Sequence, residues 1–143
     1  MIPLLAFAVA ALDLLTKYLL DRGLPPEGLP LIPGFLSLVK VRNQGIAFGL
    51  FREASLGLFW TLAGLAVAGL ILWLGRTEKD RGKRVALGLI AGGALGNGID
   101  RLWHGAVFDF VDLHLGPYHW PAFNLADAAI VLGLLLYLLR WKA

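Results

Sequence analysis

Four long apolar segments, separated by polar connections, dominate the chain. They cover about residues 2–20, 56–75, 85–100 and 122–139. A helix of about 20 apolar residues crosses the hydrocarbon core of a bilayer, which is about 30 Å thick. The third segment is the shortest and is rich in glycine. The pattern predicts an all-α integral membrane protein with four transmembrane helices in one domain, residues 1–143.

The connection at about 21–55 shows a different pattern. Residues 35–41 (FLSLVKV) alternate only partly between apolar and polar, but they are rich in strand-forming residues and have Gly and Pro around them. We therefore expect a small β-sheet outside the membrane.

The basic residues predict the orientation in the membrane. Five of them lie in the short connection 76–84, and Arg140 and Lys142 lie near the chain end. With four spans, this connection and both termini share one side, which the positive-inside rule assigns to the cytoplasm. The connections at about 21–55 and 101–121 then face outward.

Composition supports the membrane interpretation. The chain is 58% hydrophobic and only 16% charged, whereas soluble domains have about 45–50% apolar and about 25% charged residues. The net charge of +3 is explained by the cytoplasmic connection, so no nucleic-acid partner is expected. Asp13 and Lys17 interrupt the first segment, which also lacks a basic start, so we interpret it as a retained helix rather than a signal peptide.

The polar residues of the apolar segments gather towards the outer face. The third segment rises to that face and the fourth descends from it, and Asp109 lies in the connection between them. Polar groups are costly in lipid and normally face a protein interior or a wet cavity. The residues in question are Asp13, Lys17, Asn97, Asp100, Arg101, Asn124 and Asp127.

Structural roles remain open for several of these groups. Gly88, Gly92 and Gly96 recur every four residues, a spacing that lets a neighbouring helix approach closely. The other candidate structural roles are an i,i+4 ion pair for Asp13 with Lys17, an interfacial pair for Asp100 with Arg101, and a capping box for Asn124 with Asp127.

The residue types that are absent, or that lie away from the polar cluster, exclude several kinds of catalytic site. The chain has no cysteine, and its only serines, Ser37 and Ser55, lie away from the polar cluster, so a cysteine or serine nucleophile is not expected. A metal site built from His104, His114 or His119 with Asp109 or Asp112 is a weak alternative, because no H-E-x-x-H pattern is present.

Asp109 and Asp127 then remain as a candidate pair. They lie 18 positions apart across a stretch with Gly116, Pro117 and Pro121, so the chain can fold back between them. Two close carboxylates cannot both ionise easily, so one keeps a proton while the other activates water. This is aspartic peptidase chemistry, which needs no cofactor.

Four sequence blocks together resemble one known family, the bacterial lipoprotein signal peptidases (signal peptidase II). The resemblance covers nearly the whole chain. The blocks are DLLTK at 13–17, VRNQGIAFG at 41–49, GGALGNGIDR at 92–101, and VFDFVD with PAFNLADAAI at 107–130.

The resemblance implies a membrane aspartic endopeptidase that cuts prolipoproteins before a diacylglyceryl-modified cysteine. It implies that Asp109 and Asp127 are catalytic, that no metal or cofactor is needed, and that the enzyme lies in the bacterial inner membrane with its active site near the outer face. We expect membrane lipid around it and a monomer. Supporting residues implied by the family pattern are Asp13, Lys17, Asn43, Gly45, Asn97, Asp100, Arg101 and Asn124.

Two departures from the family pattern concern substrate fit rather than catalysis. They are Gln44-Gly45-Ile46 and Gly98. The main alternative function is a small transporter or channel with Asp13, Lys17 and Asp100 along a polar path, and a scaffold without chemistry is a third. Carboxylates clustered near one face argue against a path through the membrane.

Overall fold

The structure, a computed structural model, describes residues 1–44 and 54–141, with side chains described from residue 57 in the second range. The described part contains four α-helices, a short 3-10 turn and four strands. In chain order these are α1 (Ile2–Gly23), β1 (Leu29–Ile32), β2 (Leu36–Asn43), α2 (Ala54–Leu74), the turn Gly75–Thr77, α3 (Arg81–His104), β3 (Val107–Leu115), β4 (Tyr118–His119) and α4 (Leu125–Leu139).

Two helices of the described part have the length and composition needed to cross a bilayer. They are α1 and the apolar stretch Gly57–Thr77, with mean hydropathies of 1.7 and 2.0. Helix α4 is apolar but has 15 residues, about 22 Å, and α3 has 24 residues, about 36 Å. Membrane spans for α3 and α4 therefore stay predictions.

Helix α3 is longer than the predicted segment 85–100 because both of its ends are capped. The Asp80 side chain accepts a hydrogen bond from the backbone N–H of Lys83 at 2.7 Å and starts the helix. Gly105 adopts a left-handed conformation, φ 74°, and ends it. The polar residues near the end of α3 are thus held on a regular helix.

The predicted stripe of small residues packs α3 against α1. A Cβ atom at Gly92 would lie 2.6 Å from the Val9 Cβ, and one at Gly88 would lie 2.8 Å from Leu5 Cδ2. At Gly96 it would meet the Asp13 carboxylate. This prediction is confirmed, and the close approach places Asp13 beside the polar end of α3.

The strands form one antiparallel sheet in the order β1-β2-β3-β4. The predicted small sheet is confirmed, but only some of the segments that form its strands were predicted. Residues 35–41 do form most of β2, whereas β3 comes from the second connection, which the sequence indicated only as turn-rich. Strand β3 is paired along β2, with Val41 opposite Asp109 and Asn43 opposite Val107, and such distant partners leave no local pattern.

The helices expose apolar side chains and bury charged ones, the reverse of a water-soluble protein. In a water-soluble protein, charged residues are almost never fully buried unless paired. On α1, Leu4 and Phe7 are 73% and 71% exposed, whereas Asp13 is completely buried and Lys17 nearly so. Apolar side chains on the outside and charges on the inside are what a lipid environment favours.

Candidate active site

The two candidate carboxylates come from different elements that meet at one end of the helices. Asp109 lies on β3 and is 4% exposed, and Asp127 lies in the first turn of α4. Backbone hydrogen bonds between Val111 and Phe123, 2.8 and 3.1 Å long, hold the start of α4 against β3. The chain therefore folds back between the two acids and brings the elements that carry them together.

Asn124 connects the two carboxylates. It forms a complete capping box with Asp127: the Asp127 backbone N–H donates to Asn124 Oδ1 at 2.9 Å, and the Asn124 backbone N–H donates to Asp127 Oδ2 at 3.2 Å. The Asn124 amide also donates to Asp109 Oδ1 at 2.9 Å. The predicted capping box is confirmed, and the same fully buried side chain contacts the second acid.

Asn97 from α3 holds the other oxygen of Asp127. Its amide nitrogen donates to Asp127 Oδ1 at 2.8 Å. Its amide oxygen accepts hydrogen bonds from Lys17 Nζ at 2.9 Å and from Asn124 Nδ2 at 3.0 Å. Both oxygens of Asp127 are thus bound by N–H donors, and the Lys17 charge lies one amide away.

The predicted ion pair between Asp13 and Lys17 on α1 is confirmed, and each of the two side chains has a further partner that was not predicted. Lys17 Nζ lies 2.6 Å from Asp13 Oδ2 and 3.4 Å from Asp100 Oδ2. The other Asp13 oxygen accepts a hydrogen bond from the Ala126 backbone N–H at 2.8 Å. Asp13 therefore binds a free donor at the start of α4, which fixes the helix that carries Asp127.

Asp100 has partners that the sequence did not predict. Its Oδ1 lies 2.7 Å from His104 Nδ1, and its Oδ2 accepts the Phe108 backbone N–H at 2.9 Å. This links the end of α3 to the residue before Asp109. The i,i+4 spacing of Asp100 and His104 was the available signal. The negative charges of Asp109, Asp100 and Asp127 act electrostatically on the Arg101 guanidinium.

The environment of Asp109 favours its protonated form. Burial raises the pKa of Asp109 from an ordinary value of 3.8 to about 7, and the negative charge of Asp127 acts in the same direction. Hydrogen bonds from Asn43 and Asn124 and the charge of Lys17 oppose the rise. Asn43 therefore reaches Asp109 from β2.

The remaining predicted residues either contact other side chains or fall outside the described residues. Gly45 is outside the described residues. Asp112 Oδ1 lies 2.8 Å from His119 Nδ1, and the His114 and His119 rings stack with centroids 4.7 Å apart. Within the described ranges, no group of three or more His, Asp or Glu residues is arranged to hold a metal ion.

A cavity of about 300 Å³ adjoins the site through Arg101. Its wall combines the start of α2 and the end of α3 with the end of β2. The lining residues are Gln44, Gly57, Leu58, Thr61, Arg101, Leu102 and Gly105. The cavity offers an apolar surface beside one charged side chain.

Comparison with known proteins gives consistent matches over nearly the full chain. The family model described as Signal peptidase (SPase) II matches residues 5–142. A lipoprotein signal peptidase of Thermodesulfovibrio yellowstonii is 44% identical over 134 residues, which cover 94% of this chain and 89% of the relative. One of Syntrophus aciditrophicus is 42% identical over 144 residues, covering 93% and 89%. A solved bacterial membrane enzyme superposes with a TM-score of 0.85 at 28% identity, covering 99% of this chain and 87% of that one.

Proposed function

The chain belongs to the signal peptidase II family, and from that premise we propose that it removes signal peptides from prolipoproteins with Asp109 and Asp127 as its catalytic pair. The observation that carries the proposal is the hydrogen-bonded unit in which Asn124 contacts both carboxylates and Asn97 contacts Asp127 and Asn124. Cleavage is proposed before a diacylglyceryl-modified cysteine, as the family resemblance implies.

In the proposed reaction the two acids start in different protonation states. Asp109 carries the proton, because its pKa is raised to about 7. Asp127 is the carboxylate, since it accepts hydrogen bonds from the Asn97 amide and the Asn124 backbone N–H and lies where the helix dipole of α4 stabilises negative charge.

Asp127 takes a proton from a water molecule as the water oxygen attacks the scissile carbonyl carbon. Asp109 donates its proton to the carbonyl oxygen, which gives a neutral gem-diol. In the second step the carboxylate of Asp109 takes back a hydroxyl proton, Asp127 protonates the leaving amine, and the C–N bond breaks. Both acids end the reaction in their starting protonation states, and no step uses a cofactor.

The membrane position of the site suits a lipid-modified substrate. The chain is a membrane protein, and we propose that α1 to α4 all cross the bacterial inner membrane, with both termini cytoplasmic and the sheet outside. The acids then lie where acyl chains stay in lipid while the peptide reaches water. The cavity beside Arg101 is proposed to receive the substrate. We propose that the protein acts as a monomer.

Clustering of the buried charges around one site favours the peptidase over the transporter alternative. Among the described residues, the buried charged side chains are those of Asp13, Lys17, Asp100 and Asp109. A transporter needs polar groups accessible from both sides of the membrane.

Activity and metal dependence can be tested together. Purified protein should convert a diacylglyceryl-modified prolipoprotein into two products, whose masses locate the cut before the modified cysteine. The unmodified prolipoprotein is the matched control and should stay intact. EDTA should leave the rate unchanged. Loss of cleavage on chelation, restored by a divalent ion, would replace the proposed mechanism with a metal-dependent one.

Orientation needs a separate experiment. The chain has no cysteine, so Glu27→Cys and Lys79→Cys each create one labelling site. A membrane-impermeant thiol reagent added outside should label position 27 and not position 79. The opposite result would invert the proposed topology.

A further inference from the structure

A second cavity lies at the end of the molecule opposite the carboxylates. It has a volume of about 210 Å³ and is bounded by the start of α1, the end of α2 and the start of α3. The residues around it are Met1, Ile2, Pro3, Leu72, Gly75, Arg76 and Arg84. Gly75 makes the close packing possible, because a Cβ atom there would lie 2.6 Å from Ile2 Cδ1.

Among the described residues, Arg76 and Arg84 have no protein partner, whereas Lys83 and Arg140 each contact at least one. Lys83 lies 5.9 and 6.0 Å from the ring centroids of Tyr137 and Trp141. Arg140 pairs with Asp80 at 3.7 Å. Within residues 1–44 and 54–141, the guanidinium groups of Arg76 and Arg84 form no hydrogen bond, ion pair or ring contact. Two uncompensated positive charges therefore line one cavity.

The remaining wall is apolar. Ile2, Pro3 and Leu72 supply aliphatic surface, and Trp73, next to Leu72 in the chain, is 62% exposed, as is usual at a membrane–water interface. Guanidinium groups bind phosphate oxygens in a bidentate manner. Basic pockets between transmembrane helices bind phospholipid head groups.

We propose that this cavity binds the phosphate head group of an anionic phospholipid, with Arg76 and Arg84 on the phosphate and the acyl chains along α1 and α2. The lipid links the start of α1 to the α2–α3 connection and so stabilises the helical bundle. The proposal rests on the proposed spans of α1, α2 and α3, and it is independent of the carboxylate pair.

The test compares two double variants that lose the same charge. Arg76→Gln with Arg84→Gln removes both cavity arginines. Lys79→Gln with Arg81→Gln removes two exposed basic residues that do not line the cavity. Each full-length protein is purified in a neutral detergent and titrated with phosphatidylglycerol or phosphatidylcholine. Bound lipid is counted by native mass spectrometry, and the midpoint of thermal unfolding is measured.

Wild type and the Lys79/Arg81 variant should retain one phosphatidylglycerol in preference to phosphatidylcholine and unfold at a higher temperature with it. The Arg76/Arg84 variant should bind phosphatidylglycerol about tenfold more weakly, equal to about 1.4 kcal/mol. Equal weakening in both variants would overturn the proposal in favour of diffuse surface charge. The same stabilisation by soluble glycerol phosphate would overturn the lipid as the source of the phosphate.

Prolipoprotein cleavage separates this proposal from the proposed function. The Arg76/Arg84 variant should still cleave substrate in detergent, which also shows that it is folded. If the double variant does not fold, each single Arg→Gln variant should lower phosphatidylglycerol binding, and unchanged binding in both would refute the proposal.

Discussion

Replacing the buried acid Asp109 by asparagine should abolish activity and yet stabilise the protein at alkaline pH. Asp109 is 4% exposed, and its pKa rises from 3.8 to about 7 on folding because of burial and the charge of Asp127. At about 1.4 kcal/mol per pKa unit, ionising this group in the folded protein costs up to about 4 kcal/mol more than ionising it in the unfolded chain.

The direction of the pH dependence follows from the raised pKa. The stability that protonated Asp109 contributes is fully present below pH 3.8 and is lost as pH rises through about 7. Asp109→Asn cannot ionise, and its amide oxygen still accepts the hydrogen bond from Asn124. The variant should therefore match wild type near pH 4 and exceed its stability near pH 8, by at most about 4 kcal/mol.

Thermal unfolding in a mild detergent at several pH values measures this difference. Glu27→Gln is the matched control, because it removes one acid at an exposed position and should follow wild type at every pH. If Asp109→Asn is less stable than wild type at both about pH 4 and about pH 8, the reasoning is refuted. The ionised Asp109 would then stabilise the folded protein rather than destabilise it.

The remaining predictions concern the rate, the support of the site and the packing. The cleavage rate should fall as pH rises through about 7, because the raised pKa of Asp109 governs the form that donates the proton; a rate unchanged to pH 9 would exclude that role. His104→Ala should lower kcat on the order of tenfold with little change in KM. His104→Asn keeps a hydrogen-bond donor at the Nδ1 position and should restore part of kcat. An equal loss of kcat in both variants would show that His104 contributes only by packing. Gly92→Ala should destabilise the protein by about 1–3 kcal/mol in thermal unfolding, because its Cβ atom has no room, whereas Gly64→Ala, with open space around it, should not.

Features of the site that depend on neighbours in the sequence were predictable. The Asn124–Asp127 capping box and the Asp13–Lys17 ion pair each join residues three or four positions apart, and both are present. The glycine stripe of α3 also predicted close packing correctly. These patterns carry their geometry within one helical turn.

Contacts between distant residues were not predictable from local patterns. Asp13 binds the backbone N–H of Ala126, and Asn43 reaches Asp109 because β2 pairs with β3. The family resemblance marked Asn43 without giving a partner. His104 was considered only as a metal ligand, although its i,i+4 spacing to Asp100 on α3 was a local signal for their contact.

The most direct test of the account is prolipoprotein cleavage by variants of the two acids. Asp109→Asn and Asp127→Asn should each leave diacylglyceryl-modified prolipoprotein uncut in a mass measurement, because an amide cannot exchange the proton that the reaction requires. Asp112→Asn, whose carboxylate contacts His119 instead, should retain most of the wild-type rate. Substantial cleavage by either of the first two variants would contradict the proposed pair.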